Sequence, residues 1–167
     1  MLTEAVEQAL NDQIQKELYS SYIYLSMAAY FEAENLPGAA NWMRTQHDEE
    51  HGHAMKIFDF VIDRGGLVQL QAIQQPPLTF GSPLEVFEQS LAHERKVSKS
   101  IHDLYALAAQ ENDYPTQAML QWFINEQVEE EKSVGDIVAQ IKMIQDSPAA
   151  MYMLDQQLGS RTIGAAA

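Results

Sequence analysis

Each of four long helical segments in this chain carries a metal-ligand side chain in the middle of its apolar seam. Leu10, Glu17, Tyr24 and Phe31 recur once per heptad, which puts Glu17 where an apolar residue belongs. A second segment repeats the pattern twice, with Met43, Glu50 and Ile57 on one line and Gln46, His53 and Phe60 on the next. A third runs Phe87, Glu94, Ile101; a fourth runs Leu120, Gln127, Val134 beside Phe123, Glu130, Ile137. A carboxylate buried alone costs several kcal/mol. A set of them at one level of a bundle therefore calls for a bound cation.

Capping and breaking residues divide the chain. Thr3 with Glu4 and Glu7 suits a helix start, and Leu36-Pro37-Gly38 stops that helix at about Asn35. A second helix begins near Pro37 and ends at Gly65-Gly66, with Arg64 favourable to its C-terminal dipole. Leu67 to Gly81, with Pro76 and Pro77, is too long for a tight turn. Its Leu67–Ile73 part is the one candidate strand, and a weak one. Ser82-Pro83 opens a third helix to about Asn112, and Tyr114-Pro115-Thr116 opens a fourth to near Asp146. Ser147-Pro148 caps a short fifth helix through about Leu158, and Gly159 onward reads as frayed.

The 167 residues suit a single all-α domain: a four-helix bundle over about 3–146 and a short C-terminal helix over about 147–158. Short turns make the first and second helices antiparallel neighbours, and likewise the third and fourth. The connection between the second and third is a long crossover, able to span roughly 40 Å, which makes those two helices parallel. Glu17, Glu50, Glu94 and Gln127 each fall near a helix midpoint, so they meet at one level whichever way the helices run.

Charge and composition narrow the function. With 24 Asp+Glu against 10 Lys+Arg the formal net charge is −14, which argues against nucleic acid or an anionic membrane as partner. A solvated acidic surface explains that charge as well as metal handling does. With no cysteine, thiolate sites and disulfides are excluded. No apolar run approaches a membrane span, and MLTEAVEQAL lacks the basic start and apolar core of a signal peptide, so a cytoplasmic location is expected.

Glu50 and His53 sit one turn apart on one face, a spacing that grips a single ion. Glu17 and Glu94 come from two other helices, and Glu126, Gln127 and Glu130 add oxygens and an amide from the fourth. An oxygen-rich set with one imidazole suits iron or manganese better than zinc or copper. His47, His51, His93 and His102 fall off the seams and read as solvated or interface histidines. Of Glu129, Glu130 and Glu131, only Glu130 is expected to point inward.

The stretches Glu17-Leu18-Tyr19-Ser20-Ser21-Tyr22, Glu49-Glu50-His51-Gly52-His53-Ala54 and Asn125-Glu126-Gln127-Val128-Glu129-Glu130-Glu131 resemble the ferritins, nearest to the bacterial non-haem group. The resemblance covers nearly the whole chain, including Arg64-Gly65-Gly66 and the fifth helix. It implies a ferritin-like four-helix bundle with a di-iron ferroxidase centre, in which Fe(II) is oxidised by dioxygen or hydrogen peroxide and Fe(III) is stored as mineral. Glu17, Glu50 and His53 would hold the first iron; Glu50 would bridge to a second, completed by Glu94 with help from Glu130. Gln127 would be a hydrogen-bonding or weak ligand. A third iron site would use Glu49, Glu126, Glu129 and Glu130.

Tyr24 and Trp122 match aromatics that donate electrons in the family, and ordinary core packing explains them equally well. In bacterioferritins a haem methionine lies between the Glu and His of the second-helix motif; Gly52 stands there here, so no haem is expected. The resemblance further implies a homo-oligomer, a hollow 24-mer shell with the fifth helix at its fourfold axes. Apolar Met151, Met153 and Leu154 suit a helix that seeks such an interface. Two alternatives stand beside this reading. One is a non-storing di-iron oxidase or peroxidase of rubrerythrin type, which would carry a fourth-helix histidine where this chain offers Gln127 and Glu130. The other is a structural bundle whose polar layer only fixes register.

Overall fold

Helix ends in this chain are set by its capping residues. A computed structural model describes residues 2–144 and 147–162, and in it five helices follow one another: α1 (Glu4–Ala33), α2 (Pro37–Asp63), α3 (Pro83–Gln110), α4 (Tyr114–Ile144) and α5 (Pro148–Leu158). The first three stop alike. Asn35, Gly65 and Asn112 adopt left-handed backbone angles, with φ of 58°, 71° and 55°. The next amide in each case reaches back to a carbonyl of the last turn: Leu36 to Phe31, Gly66 to Val61, Asp113 to Ala108. The expected end of the fourth helix near Asp146 lies outside the described residues.

Helix starts are more varied. Thr3, Ser82 and Ser147 cap α1, α3 and α5 with their own hydroxyls. For α4 the cap is Asp113, which accepts from the Thr116 amide at 3.2 Å and is itself held by Arg64 at 2.9 Å. α2 begins after Leu36, which has no capping side chain. Its acceptor comes from α5: Asp155 takes the amides of Ala39 at 2.8 Å and Gly38 at 3.1 Å. Gly38 is needed for that approach, because a Cβ there would come within 1.7 Å of the Asp155 carbonyl oxygen.

Contacts between helices fix the topology. Lys16 meets Ser100 while Met27 meets Ser90, so α1 and α3 are antiparallel. Gln46 meets Glu130 while Arg64 meets Asp113, so α2 and α4 are antiparallel too. With the α1–α2 and α3–α4 hairpins, this is the expected four-helix bundle, with α2 and α3 parallel. The crossover has no regular secondary structure and runs against α1. The candidate strand at Leu67–Ile73 does not form, and a side chain takes the place of a partner strand: the Asn11 amide donates to the Leu67 carbonyl at 3.0 Å and its oxygen accepts from the Gln69 amide at 2.7 Å. Further along, Ser26 donates to the Pro77 carbonyl at 2.6 Å.

The core falls into two apolar clusters. One is built on Tyr24, Phe31, Trp42, Met43, Phe87 and Val134, with Leu154 and Leu158 of α5 closing its end. The other is built on Leu10, Ile14, Ile57, Val61, Ile101, Leu120 and Phe123. Between them lies the polar layer. One difference from expectation concerns the C-terminal segment: Arg161 is not frayed but folds back onto α2 with its side chain only 10% exposed.

Asp155→Ala should leave two buried α2 amides without an acceptor, costing about 1–3 kcal/mol in denaturant unfolding. Asp155→Asn, which keeps one acceptor oxygen, should cost less. Unchanged stability in the alanine variant would show that α2 starts without help from α5.

Candidate metal centre

The heptad pattern sends one acidic or amide side chain from each long helix to the bundle axis at mid-height. Glu17 of α1, Glu50 and His53 of α2, Glu94 of α3, and Gln127 and Glu130 of α4 are all buried, none more than 6% exposed. Ligand atoms of Glu17, Glu50 and His53 lie within 4.8 Å of one another, as do those of His53, Glu126 and Glu130. The two groups share His53 and are therefore contiguous. Its Nδ1 lies 3.4 Å from Glu50 Oε2. On the other side of the layer Tyr24 donates its hydroxyl to Glu94, whose second oxygen accepts from Gln127 at 3.1 Å.

Glutamine amides steady these acids. Gln13 donates to Glu17 at 2.7 Å, and Gln46 donates to Glu130 at 2.6 Å and Glu50 at 3.3 Å. Gln13 and Gln46 each stand one turn before the α1 or α2 carboxylate they hold, a spacing at which helix side chains meet. For Gln13 that spacing is the only mark in the sequence; Gln46 also lies on the heptad line of His53 and Phe60, yet sequence reasoning does not single out either as a partner of the acids. The Gln13 oxygen accepts from Ser100 at 2.6 Å, and Ser100 accepts from Lys16 at 2.7 Å.

Neutral amides do not discharge the layer. Glu17 Oε2 and Glu50 Oε2 are buried with no donor. Burial raises the Glu50 carboxyl well above the usual range, with the neighbouring Glu94 and Glu17 carboxylates adding to it. Glu130 is raised in the same way by burial and then by Glu50 and Glu94. Burial pushes Glu94 up to about 7 against the Tyr24 and Gln127 hydrogen bonds, and lifts Glu17 despite nearby His53. A cation at the layer would supply what the protons otherwise supply, to an oxygen-rich set with one imidazole suited to iron.

The structure treats the remaining expected residues unevenly. Tyr24 is fully buried against Glu94 and also packs edge-on to Trp42. Trp122 is no core residue: it is 38% exposed and packs edge-on to His53, with ring centroids 5.3 Å apart. Glu49, Glu126, Glu129 and Glu130 do not form one group among the described residues. Glu49 is taken by Arg161 at 2.6 Å, Glu129 is exposed on α4, and Glu126 joins His53 and Glu130 instead. Glu130 is the buried member of its acidic run, as expected. His51 and His102 are exposed. His47 and His93 are instead half-buried, bonded to Ser21 at 2.7 Å and Ser20 at 2.8 Å. Burial, reinforced by Lys96, lowers His93 to about 4, so it stays neutral.

Known proteins share this chain's fold and much of its sequence. The family profile described as Ferritin-like domain matches residues 7–144. A bacterial non-heme ferritin of Bacteroides fragilis (strain 638R) is 45% identical over 161 residues, covering 96% of this chain and 100% of the relative. One from Staphylococcus aureus (strain USA300) is 37% identical, covering 97% and 98%. Among solved structures, an open pore ferritin from the hyperthermophilic archaeon Archaeoglobus fulgidus superposes with a TM-score of 0.96 at 48% identity, covering 97% of this chain and 99% of that one.

The raised carboxyls predict the pH behaviour of the metal-free protein. A carboxyl whose folded pKa exceeds its unfolded value keeps its proton in the native state while the unfolded chain has released it, so stability falls as pH rises above about 4.5. Glu50→Gln removes that penalty. The metal-free variant should be more stable than the parent by about 1–3 kcal/mol near pH 8 and show little gain near pH 4. A gain of the same size at both pH values would exclude ionisation as its cause.

Proposed function

The chain belongs to the ferritin family, and on that premise we propose that it oxidises ferrous iron at the mid-bundle layer and stores the ferric product in a hollow shell. The carrying observation is the buried acid layer itself, with two carboxylate oxygens that make no hydrogen bond. Ferrous iron is substrate and cargo here. Two ions each give up one electron, and dioxygen or hydrogen peroxide takes both.

Roles follow from position. Glu17, Glu50 and His53 take the first ion, a cluster whose three members are all buried. Glu50 belongs to this cluster and also interacts electrostatically with Glu94 and Glu130, which fits a bridge to a second ion held by those two residues. Gln127 steadies Glu94 through its amide, leaving the Glu94 oxygens oriented toward the layer. Tyr24, hydrogen-bonded to Glu94, is placed to pass an electron if the oxidant demands a further one. A third ion fits best beside Glu126 and Glu130, with Glu129 and Glu49 as outer ligands once Glu49 leaves Arg161. As each ion binds, the protons on the raised carboxyls are displaced.

Storage rests on assembly as a homo-oligomer, which we take to be a 24-mer in the cytoplasm. The exposed apolar side chains support an assembled state: Tyr22 and Leu25 on α1, Leu67, Leu70 and Leu78 on the crossover, and Tyr152 and Met153 on α5. No helix among the described residues is long and apolar enough to cross a membrane. The non-storing oxidase alternative is less well supported, since α4 brings Gln127 and Glu130 to the layer rather than a histidine.

Ferrous salt added in air to the purified protein should be oxidised far faster than the salt alone, and many irons per chain should co-elute with a large shell in gel filtration. Retention of only about two per chain would favour a non-storing oxidase. Glu17→Ala or His53→Ala should slow oxidation by about a hundredfold with the shell intact. Glu130→Ala should spare the first turnover more than later ones. Normal oxidation by Glu17→Ala would refute the assignment.

A further inference from the structure

Arg161 stands outside the bundle's four long helices yet reaches its central layer. Its guanidinium donates to Gln46 Oε1 at 2.7 Å through one terminal nitrogen and to Glu49 Oε2 at 2.6 Å through the other. The group lies 4.4 Å from the centroid of the Trp42 ring. Its Nε is buried with no acceptor, a cost that the two terminal bonds and the ring contact must offset. A free surface arginine has no reason to accept that arrangement.

The contact to Gln46 has a consequence for the acids. A primary amide offers an acceptor at one end and donors at the other. A guanidinium can only donate, so it selects the oxygen end of Gln46 and turns the nitrogen end toward the layer. That nitrogen then donates to Glu130 at 2.6 Å and to Glu50 at 3.3 Å. Without Arg161, the Gln46 amide is free to rotate and present its oxygen to two carboxyl groups.

Resting on the iron-pair reading above, we propose that Arg161 is a positioning residue for the centre, acting through Gln46 to hold Glu50 and Glu130 in their ligating orientation and so tying the C-terminal segment to iron binding. Lys16 does the same for Glu17 through Ser100 and Gln13 on the opposite side of the bundle. Arg161 differs in coming from beyond α5, so the docking of that helix and the geometry of the acids are linked.

The test is a double-mutant cycle read with cobalt(II) as well as iron. Parent, Arg161→Ala, Gln46→Met and the double variant are sized to establish intact shells, with Arg161→Gln replacing the alanine variant if the latter does not assemble. Each is titrated with Co(II), following the visible ligand-field bands, and the first oxidative turnover is timed. Arg161→Ala should alter the Co(II) spectrum and slow the first turnover by about threefold to tenfold, Gln46→Met should match it, and the double variant should be no worse. Effects that multiply in the double variant, or an Arg161→Ala indistinguishable from the parent, would overturn the positioning role while leaving the iron-pair reading intact. A parent that binds no pair of Co(II) ions would overturn both.

Discussion

The dominant constraint in this structure is the mutual repulsion and desolvation of four glutamates packed at one height in a narrow apolar bundle. Among the described residues, no lysine or arginine pairs with any of the four. Instead glutamine amides and a tyrosine hydroxyl hold individual oxygens, and protons or metal ions must do the rest. The layer splits the core, with Phe31, Trp42 and Phe87 at one end and Ile14, Ile101 and Phe123 at the other. Each end has to supply its own packing, and helices of 30 and 31 residues in α1 and α4 are long enough to reach both. Stability is thus built around a centre that weakens the empty protein and that a bound ion would strengthen.

The two sides of the layer are supported differently. On the α1–α3 side, Lys16, Ser100 and Gln13 form a relay to Glu17. On the α2–α4 side, support comes from the far end of the chain through Arg161. Both relays end in an amide whose orientation is fixed from behind by a donor. The lysine and the arginine therefore stay outside the layer, and each relay presents an amide to the acids. That arrangement suits a site in which cations arrive and leave. A lysine or arginine among the acids would occupy it permanently.

Much of this is legible in the chain. Heptad spacing alone places Glu17, Glu50, His53, Glu94, Gln127 and Glu130 in the interior, and Asn35, Gly65 and Asn112 mark three helix ends. Local periodicity carries such features. It cannot carry contacts between residues more than a hundred positions apart: Asp155 capping α2, and Arg161 reaching Gln46 and Glu49. The same contact gives Glu49 a cationic partner that its acidic neighbours in the sequence do not foretell. His93, expected to be a solvated or interface histidine, is half-buried for a related reason, since Ser20 on another helix gives an off-seam histidine a partner.

The Asn11 clasp on the crossover has a consequence for behaviour at high concentration. An extended segment with free amides and carbonyls is a template on which other chains can add strands. Here the Leu67 carbonyl and the Gln69 amide are already engaged by one side chain, and Pro76 and Pro77 interrupt the rest of the crossover. Among the described residues this long extended stretch is thereby blunted against strand addition and fibrous self-association.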